Sequence, residues 1–214
     1  MIIEQEVLQP GDQHYTIAFP DEYPGDEPLP LILALHYAGH GTPYYGRTIL
    51  EYLVEPALRD LGAVIVAPDC TAKSWSEPQS ETDVLAFLDF AVNSYKVDTK
   101  RILVTGYSMG GNGAWYLAAR NPERFSTAVV MSGWPPAEIG QVDWRVPVYV
   151  IHSRGDEFIP IEPTQYAASI LAEQGVEIEF VILEDVTHFE THRFIKPLNS
   201  AIDWINGIWQ RISR

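Results

Sequence analysis

Short, continuously apolar runs recur along this chain, and the stretches between them place apolar residues three and four positions apart. The clearest are Leu31 to Leu35 and Ala63 to Ala67, and further strand-like segments are Arg101 to Thr105, Ser126 to Met131, Val146 to Ile151 and Glu177 to Leu183. Runs of this length without polar alternation predict strands covered on both faces. Helical spacing follows in Thr48 to Leu61, in Glu81 to Tyr95 (Val84, Leu85, Leu88, Ala91 and Val92 on one face, with Ser80 or Thr82 as the cap), in Met109 to Arg120 and in Glu162 to Gln174, where Gly175 stands at the expected end. Residues 192 to 213 predict a last helix with Ile195, Leu198, Ile202, Ile205, Ile208, Trp209 and Ile212 near one stripe. Ahead of this alternation, Ile2 to Leu8 and His14 to Phe19 read as an antiparallel hairpin at a sheet edge, turning at Pro10-Gly11-Asp12.

Strands alternating with helices imply a mostly parallel sheet with helices on both faces. Ligands of such sheets bind beyond the carboxyl ends of the strands. That rule directs attention to the loops after Leu35, Ala67, Thr105, Met131, Ile151 and Leu183.

One of those loops is Gly106-Tyr107-Ser108-Met109-Gly110, between the strand Arg101 to Thr105 and the helix Met109 to Arg120. The bare G-x-S-x-G pattern is common. Placed at a strand-to-helix turn it is a nucleophile elbow, in which flanking glycines let the backbone bend and present the serine hydroxyl. Ser108 is therefore the candidate nucleophile, and the expected architecture is an α/β-hydrolase fold. A hydroxyl at neutral pH needs a base, and the base needs an orienting acid, in the chain order Ser, Asp or Glu, His. Asp156, in the loop after Val146 to Ile151, is the candidate acid, with Glu157 beside it as the weaker alternative. His188, between the last strand and the last helix, is the candidate base, with His192 as its rival. His14, His36, His40 and His152 precede Asp156 and break the order. The oxyanion donors expected are the backbone N–H of Met109 and that of Ala38, or alternatively Tyr37.

Composition changes this picture in what it excludes. Fourteen basic residues against 29 acidic give a net charge of −15, which opposes nucleic acid and anionic membrane as partners. No apolar run approaches the roughly 20 residues that span a bilayer. One cysteine, Cys70, allows no intrachain disulfide and reads as a small buried hydrophobe. The N-terminal residues show no basic–apolar leader, so a cytoplasmic location is expected. No linker or repeat divides residues 1 to 214, and one domain is expected. His36/His40 and His188/His192 share a four-residue spacing but lack further ligands, and no nucleotide-binding glycine motif occurs. No metal or cofactor is expected.

The elbow and its helix, from Gly106 through Ala114-Trp115 to Asn121-Pro122-Glu123-Arg124-Phe125, together with Gly155-Asp156, Ile159-Pro160 and Thr187-His188, resemble compact α/β-hydrolase esterases. The likeness is to the phospholipase/carboxylesterase, polyhydroxybutyrate-depolymerase-like and dienelactone-hydrolase-like groups, and it runs from about Leu31 to the C-terminus. Two departures stand out. Tyr37 occupies a position usually held by glycine, and a serine nucleophile disfavours the cysteine-based dienelactone hydrolases among these groups. The resemblance implies a serine carboxylesterase acting through an acyl-enzyme on a small-molecule ester.

The connection Ser132 to Arg145 is too short for a helical lid. An open site is expected, suited to p-nitrophenyl acetate- or butyrate-like esters, with Tyr37, Trp75 and Trp134 as candidate walls and Tyr44 and Tyr45 as possible contributors. Trp75 and Trp134 have a second reading, as loop anchors packed on the core. A peptidase or thioesterase with the same three residues, or a non-catalytic binding protein of this fold, are the alternatives.

Overall fold

The computed structural model describes residues 1–8, 12–21, 27–39 and 41–213. Its centre is an eight-stranded sheet in the order β1-β2-β4-β3-β5-β6-β7-β8. The strands are β1 (Ile2–Leu8), β2 (Gln13–Phe19), β3 (Leu29–Leu35), β4 (Val64–Pro68), β5 (Val97–Tyr107), β6 (Thr127–Met131), β7 (Val148–Ser153) and β8 (Ile178–Leu183). β1 and β2 form an unbroken antiparallel ladder at one edge, and β2 is antiparallel to β4. Every pairing from β4 through β3, β5, β6 and β7 to β8 is parallel. The expected hairpin turn falls largely outside the described residues; Asp12, at its end, has φ +52°.

The apolar runs divide between two cores because successive strand residues point to opposite faces. Leu31, Leu33 and Leu35 pack with Phe87, Trp115 and Leu171, from the helices α3 (Pro78–Ser94), α4 (Met109–Arg120) and α5 (Glu162–Glu173). Ile32 and Ala34 pack on the other side with Leu53, Leu198, Ile205 and Trp209. That second layer holds α1 (Gly46–Ile49), α2 (Glu55–Leu58), α6 (Ile195–Asn199) and α7 (Ile202–Ile212).

Three helices depart from the sequence expectation. The stretch expected as one helix over Thr48 to Leu61 is helical but irregular. α1 widens into a π-helical segment, Leu50–Val54, before α2, and ends in a 3₁₀ turn, Arg59–Leu61. Pro56 has no N–H to return to Tyr52, which interrupts the α-type ladder there. α3 starts a turn earlier than expected, with Pro78 at its first turn. Ser80 and Thr82 therefore do not cap it; their hydroxyls bond Ser74 O and Pro78 O. The final helix is broken into a 3₁₀ turn, Thr191–Phe194, then α6 and α7. Pro197 cannot donate to Arg193, and at the break the Ala201 N–H turns to Leu198 O.

Candidate active site

β5 ends in Tyr107 and α4 begins at Met109, so Ser108 alone makes the turn. Its φ of +56° is in the region that side chains other than glycine rarely adopt. The neighbours show how that turn is held. A Cβ on Gly106 would lie 2.3 Å from the Gly110 backbone, and one on Gly110 would lie 1.8 Å from Leu35 O. On Gly111 it would lie 2.6 Å from Met131 O. The helix start is thus pressed against the ends of β3 and β6 at distances only glycine permits. The Ser108 N–H donates to Met131 O at 3.0 Å, tying the turn to β6.

The candidate acid and base, Asp156 and His188, lie on the loops after β7 and β8. Ser108 Oγ is 2.9 Å from His188 Nε2, and His188 Nδ1 is 2.9 and 3.0 Å from the two Asp156 oxygens. A carboxylate only accepts, so Nδ1 carries the proton and Nε2 is the acceptor for the serine hydroxyl. Asp156 Oδ1 also accepts the N–H of Phe158 (3.0 Å) and of Ile159 (2.7 Å). Burial alone would raise the Asp156 pKa. His152, His188 and those two N–H groups overcome it and hold the carboxyl well below the usual range. His152 is fully buried under the acid. Its Nε2 donates to Ile159 O at 2.9 Å and stands 3.6 Å from Asp156 Oδ2, a Coulombic contact rather than a hydrogen bond. Its Nδ1 meets Thr164 Oγ1 at 2.9 Å. Ser153 Oγ accepts the N–H of both Gly155 and Val186, joining the acid loop to the base loop.

Glu157, the weaker acid candidate, is instead the acceptor for the His188 N–H at 2.9 Å. His192 is exposed in the 3₁₀ turn, and the imidazole nitrogen at the serine hydroxyl belongs to His188. His40 lies outside the described residues. Among the described residues no cluster of three or more His, Cys, Asp or Glu could hold a metal, and no helix is long and apolar enough to cross a membrane.

The loop after β3 is organised by a neutral histidine. Cys70 N–H donates to His36 Nε2 at 3.0 Å, so Nδ1 is the protonated nitrogen and donates to Tyr37 O at 2.8 Å. Burial lowers the His36 pKa, which favours the same neutral form. The C=O and N–H of a trans peptide point in opposite directions, so the Ala38 N–H faces away from this imidazole. Ala38 lines the cleft that holds Ser108 and His188. It also lines, with Met109, a second chamber of about 560 Å³ that includes Tyr45, Asp69, Cys70 and Lys73. Asp69 closes one wall by accepting the N–H of Tyr44 and Gly46. Burial raises the Cys70 thiol pKa, as suits a packed side chain.

The cleft itself has a volume of about 370 Å³ and is walled by Tyr37, Tyr107, Phe158, Phe189 and Thr191. Two expected wall residues are elsewhere. Trp75 is 1% exposed and its indole N–H donates to His36 O, so it is a core anchor for the β3 loop. The Trp134 ring is 42% exposed and lines no part of the cleft; its N–H bonds Asn112 Oδ1, fastening the loop after β6 to α4.

The family model for dienelactone hydrolases matches residues 53–200. The chain belongs to the dienelactone hydrolase family. The serine at the elbow was expected to disfavour this group, and the family match corrects that expectation. It is 25% identical over 170 residues to a probable feruloyl esterase C of Aspergillus niger, covering 73% of this chain and 59% of that protein. Over 90 residues it is 29% identical to a putative carboxymethylenebutenolidase of Aquifex aeolicus, covering 42% of this chain and 39% of the relative. The chain thus spans about three-fifths, or less, of the length of these relatives. Among solved structures, a ferulic acid esterase superposes with a TM-score of 0.78 at 16% identity, covering 97% of each chain. Est1E from Butyrivibrio proteoclasticus gives 0.71 at 16%, covering 96% of this chain and 99% of its own. At such identity these likenesses establish the α/β-hydrolase fold.

Sequence reasoning missed His152, Tyr107, Phe158 and Phe189. The two phenylalanines directly follow Asp156 and Glu157 on one loop and His188 on the other, and that adjacency was the available signal. Nothing local marks Tyr107, whose partner His188 is 81 residues away, whereas His152, in β7 just ahead of the Asp156 loop, meets residues 4, 7 and 12 positions on.

Proposed function

We propose that this chain is a serine carboxylic-ester hydrolase acting through an acyl-enzyme. The observation that carries the proposal is the unbroken series of hydrogen bonds from Ser108 Oγ through His188 to Asp156. Ser108 Oγ attacks the ester carbonyl while its proton passes to His188 Nε2. The resulting oxyanion accepts the N–H of Met109, at the positive end of α4, and that of Ala38. His188 then returns the proton to the departing alcohol oxygen as its bond to the acyl carbon breaks. Water repeats the sequence in reverse, releasing the acid and restoring the serine. Asp156 stays ionised and stabilises the imidazolium.

The preferred substrates on this reading are short or compact acyl esters, because the cleft is small and the connection from Ser132 to Arg145 contributes no cap. A second reading has its own observation. The Phe158 and Phe189 rings stand 5.1 and 5.6 Å from the His188 ring and are 66% and 75% exposed. Aromatic rings so placed favour an ester with an aryl group, and the feruloyl esterases among the relatives are consistent with that preference. Tyr37 lines the same cleft, and Tyr37→Phe compared with wild type in kcat tests whether its hydroxyl takes part.

The experiment is a fluorophosphonate labelling assay with an ester panel. Labelling of wild type that is lost in Ser108→Ala, with kcat for p-nitrophenyl acetate falling by about 10⁴-fold or more in Ser108→Ala and in His188→Ala, is expected. An unlabelled wild-type protein would favour a binding function. Preference for amides or thioesters over the matched oxygen esters would favour the peptidase or thioesterase reading. Faster turnover of cinnamoyl than of butyryl esters would select the aryl reading.

A further inference from the structure

We infer that Tyr107 is a positioning residue for His188, holding the main chain of the base at a fixed distance from the nucleophile. The inference rests on the proposed roles of Ser108 and His188, and it concerns a side chain those roles do not use.

Tyr107 is the last residue of β5 and the one immediately before Ser108. It is 1% exposed, and its hydroxyl donates to His188 O at 2.6 Å. Burial raises the phenol pKa above its ordinary value, which favours the protonated, donating form. The ring is fixed by Phe194, edge-on at 5.0 Å, and lies 5.4 Å from the imidazole. The contacts close a ring. From Ser108 Oγ the path runs to His188 Nε2, through the histidine to its carbonyl, across the hydrogen bond to the Tyr107 phenol, and back along one peptide bond to Ser108. Serine and tyrosine are neighbours in the chain, so the phenol ties the base to the same short segment that carries the nucleophile.

At the other side of the residue, the His188 N–H donates to Glu157 Oε2. The main chain of the base is therefore gripped at both its N–H and its C=O. The imidazole itself is aligned by Asp156. Without the phenol hydroxyl, no side chain among the described residues holds the carbonyl end of His188, and Nε2 can drift from the serine while the cleft walls stay in place.

Tyr107→Phe keeps the ring and its packing and removes only the donor. The expected result is a kcat about 10- to 100-fold lower with KM within about threefold of wild type, since a displacement of about 1 Å in a reacting group costs that much in rate. Replacing Tyr107 by 4-aminophenylalanine, which restores a donor at the same point, should return most of the lost kcat. A merely structural tyrosine would show neither the split between kcat and KM nor the rescue. Should Tyr107→Phe fail to fold, Glu157→Ala at the exposed companion anchor tests whether the main-chain grip on His188 sets the rate, with a fall in kcat of about three- to tenfold at constant KM expected.

A kcat within twofold of wild type in a folded Tyr107→Phe, or a fall that the amino analogue does not repair, would overturn the inference. So would unchanged kcat in Glu157→Ala where that variant carries the test. If Ser108→Ala and His188→Ala retain full activity, it is the proposed function that fails; if they are inactive while Tyr107→Phe is fully active, only the role of Tyr107 falls.

Discussion

The elbow and the acid–base loops meet at one point but are held there by different physics. Around Ser108 the positioning is steric. Gly106, Gly110 and Gly111 bring backbone against backbone, and a serine is kept at φ +56° by what surrounds it. Around Asp156 and His188 the positioning is polar. Phe158 N–H, Ile159 N–H, Glu157 and Tyr107 each supply one donor or acceptor, and His152 adds an electrostatic contact. The difference teaches where each side is vulnerable: the elbow to an added atom, the loops to a removed one.

The largest effect should come from unbalancing the polar side. Asp156→Asn keeps the shape of the acid and loses its charge, and kcat should fall by about 10³- to 10⁴-fold. The same variant sharpens the contrast in stability. The folded-state pKa of Asp156 is depressed, so its contribution is complete above the unfolded carboxyl value of about 4 and is lost as pH falls below it toward the folded value. Urea unfolding of wild type should therefore show stability declining with acid below about pH 4, with a shallower decline in Asp156→Asn. Equal slopes would remove the electrostatic half of the comparison.

On the steric side, Gly110→Ala places a Cβ 1.8 Å from Leu35 O, and a loss on the order of 4 kcal/mol or failure to fold is expected. Gly140→Ala is the control. Its Cβ would meet only a side-chain methyl of Ile170, at 3.8 Å, so stability should stay within about 0.5 kcal/mol. Similar losses in both would show that close approach is not what holds the elbow.

A smaller effect isolates the strain itself. Ser108→Gly and Ser108→Ala both lack the hydroxyl, but only glycine is relaxed at that φ. The glycine variant should be the more stable by roughly 1 kcal/mol in urea. The smallest change is expected from Trp134→Ala. Its ring lines no part of the cleft, so kcat/KM for short esters should stay within about threefold, and a larger loss would return it to the substrate wall.

Much of the sheet was legible because strands buried on two faces leave long apolar runs, and α4 agreed with its expected span from Met109 to Arg120 residue for residue. The helix boundaries were less so. Pro56 and Pro197 act through a missing N–H whose cost depends on tertiary contacts, and periodicity alone runs across them. In the site, Ser108, Asp156 and His188 were readable from chain order and loop placement, and the structure brings them into hydrogen-bond contact. Trp75 had two readings, wall or core anchor, because a loop position does not reveal whether an indole turns inward; its bond to His36 O, between residues 39 positions apart, selects the anchor. The two-sided grip on His188 has no sequence signature at all. It depends on a phenol and a carbonyl 81 residues apart.

The place where the strain sits has a consequence for motion. Ser108 donates its N–H to Met131 O between β5 and β6, at the middle of the sheet order, with parallel neighbours on both sides. Amide protons there open only in the costliest fluctuations, whereas the β1 edge, exposed along much of its length, exchanges through shallow ones. Breathing of the outer strands can thus proceed without loosening Ser108 at its positive φ, and that residue should be among the last to lose its shape as the molecule is heated.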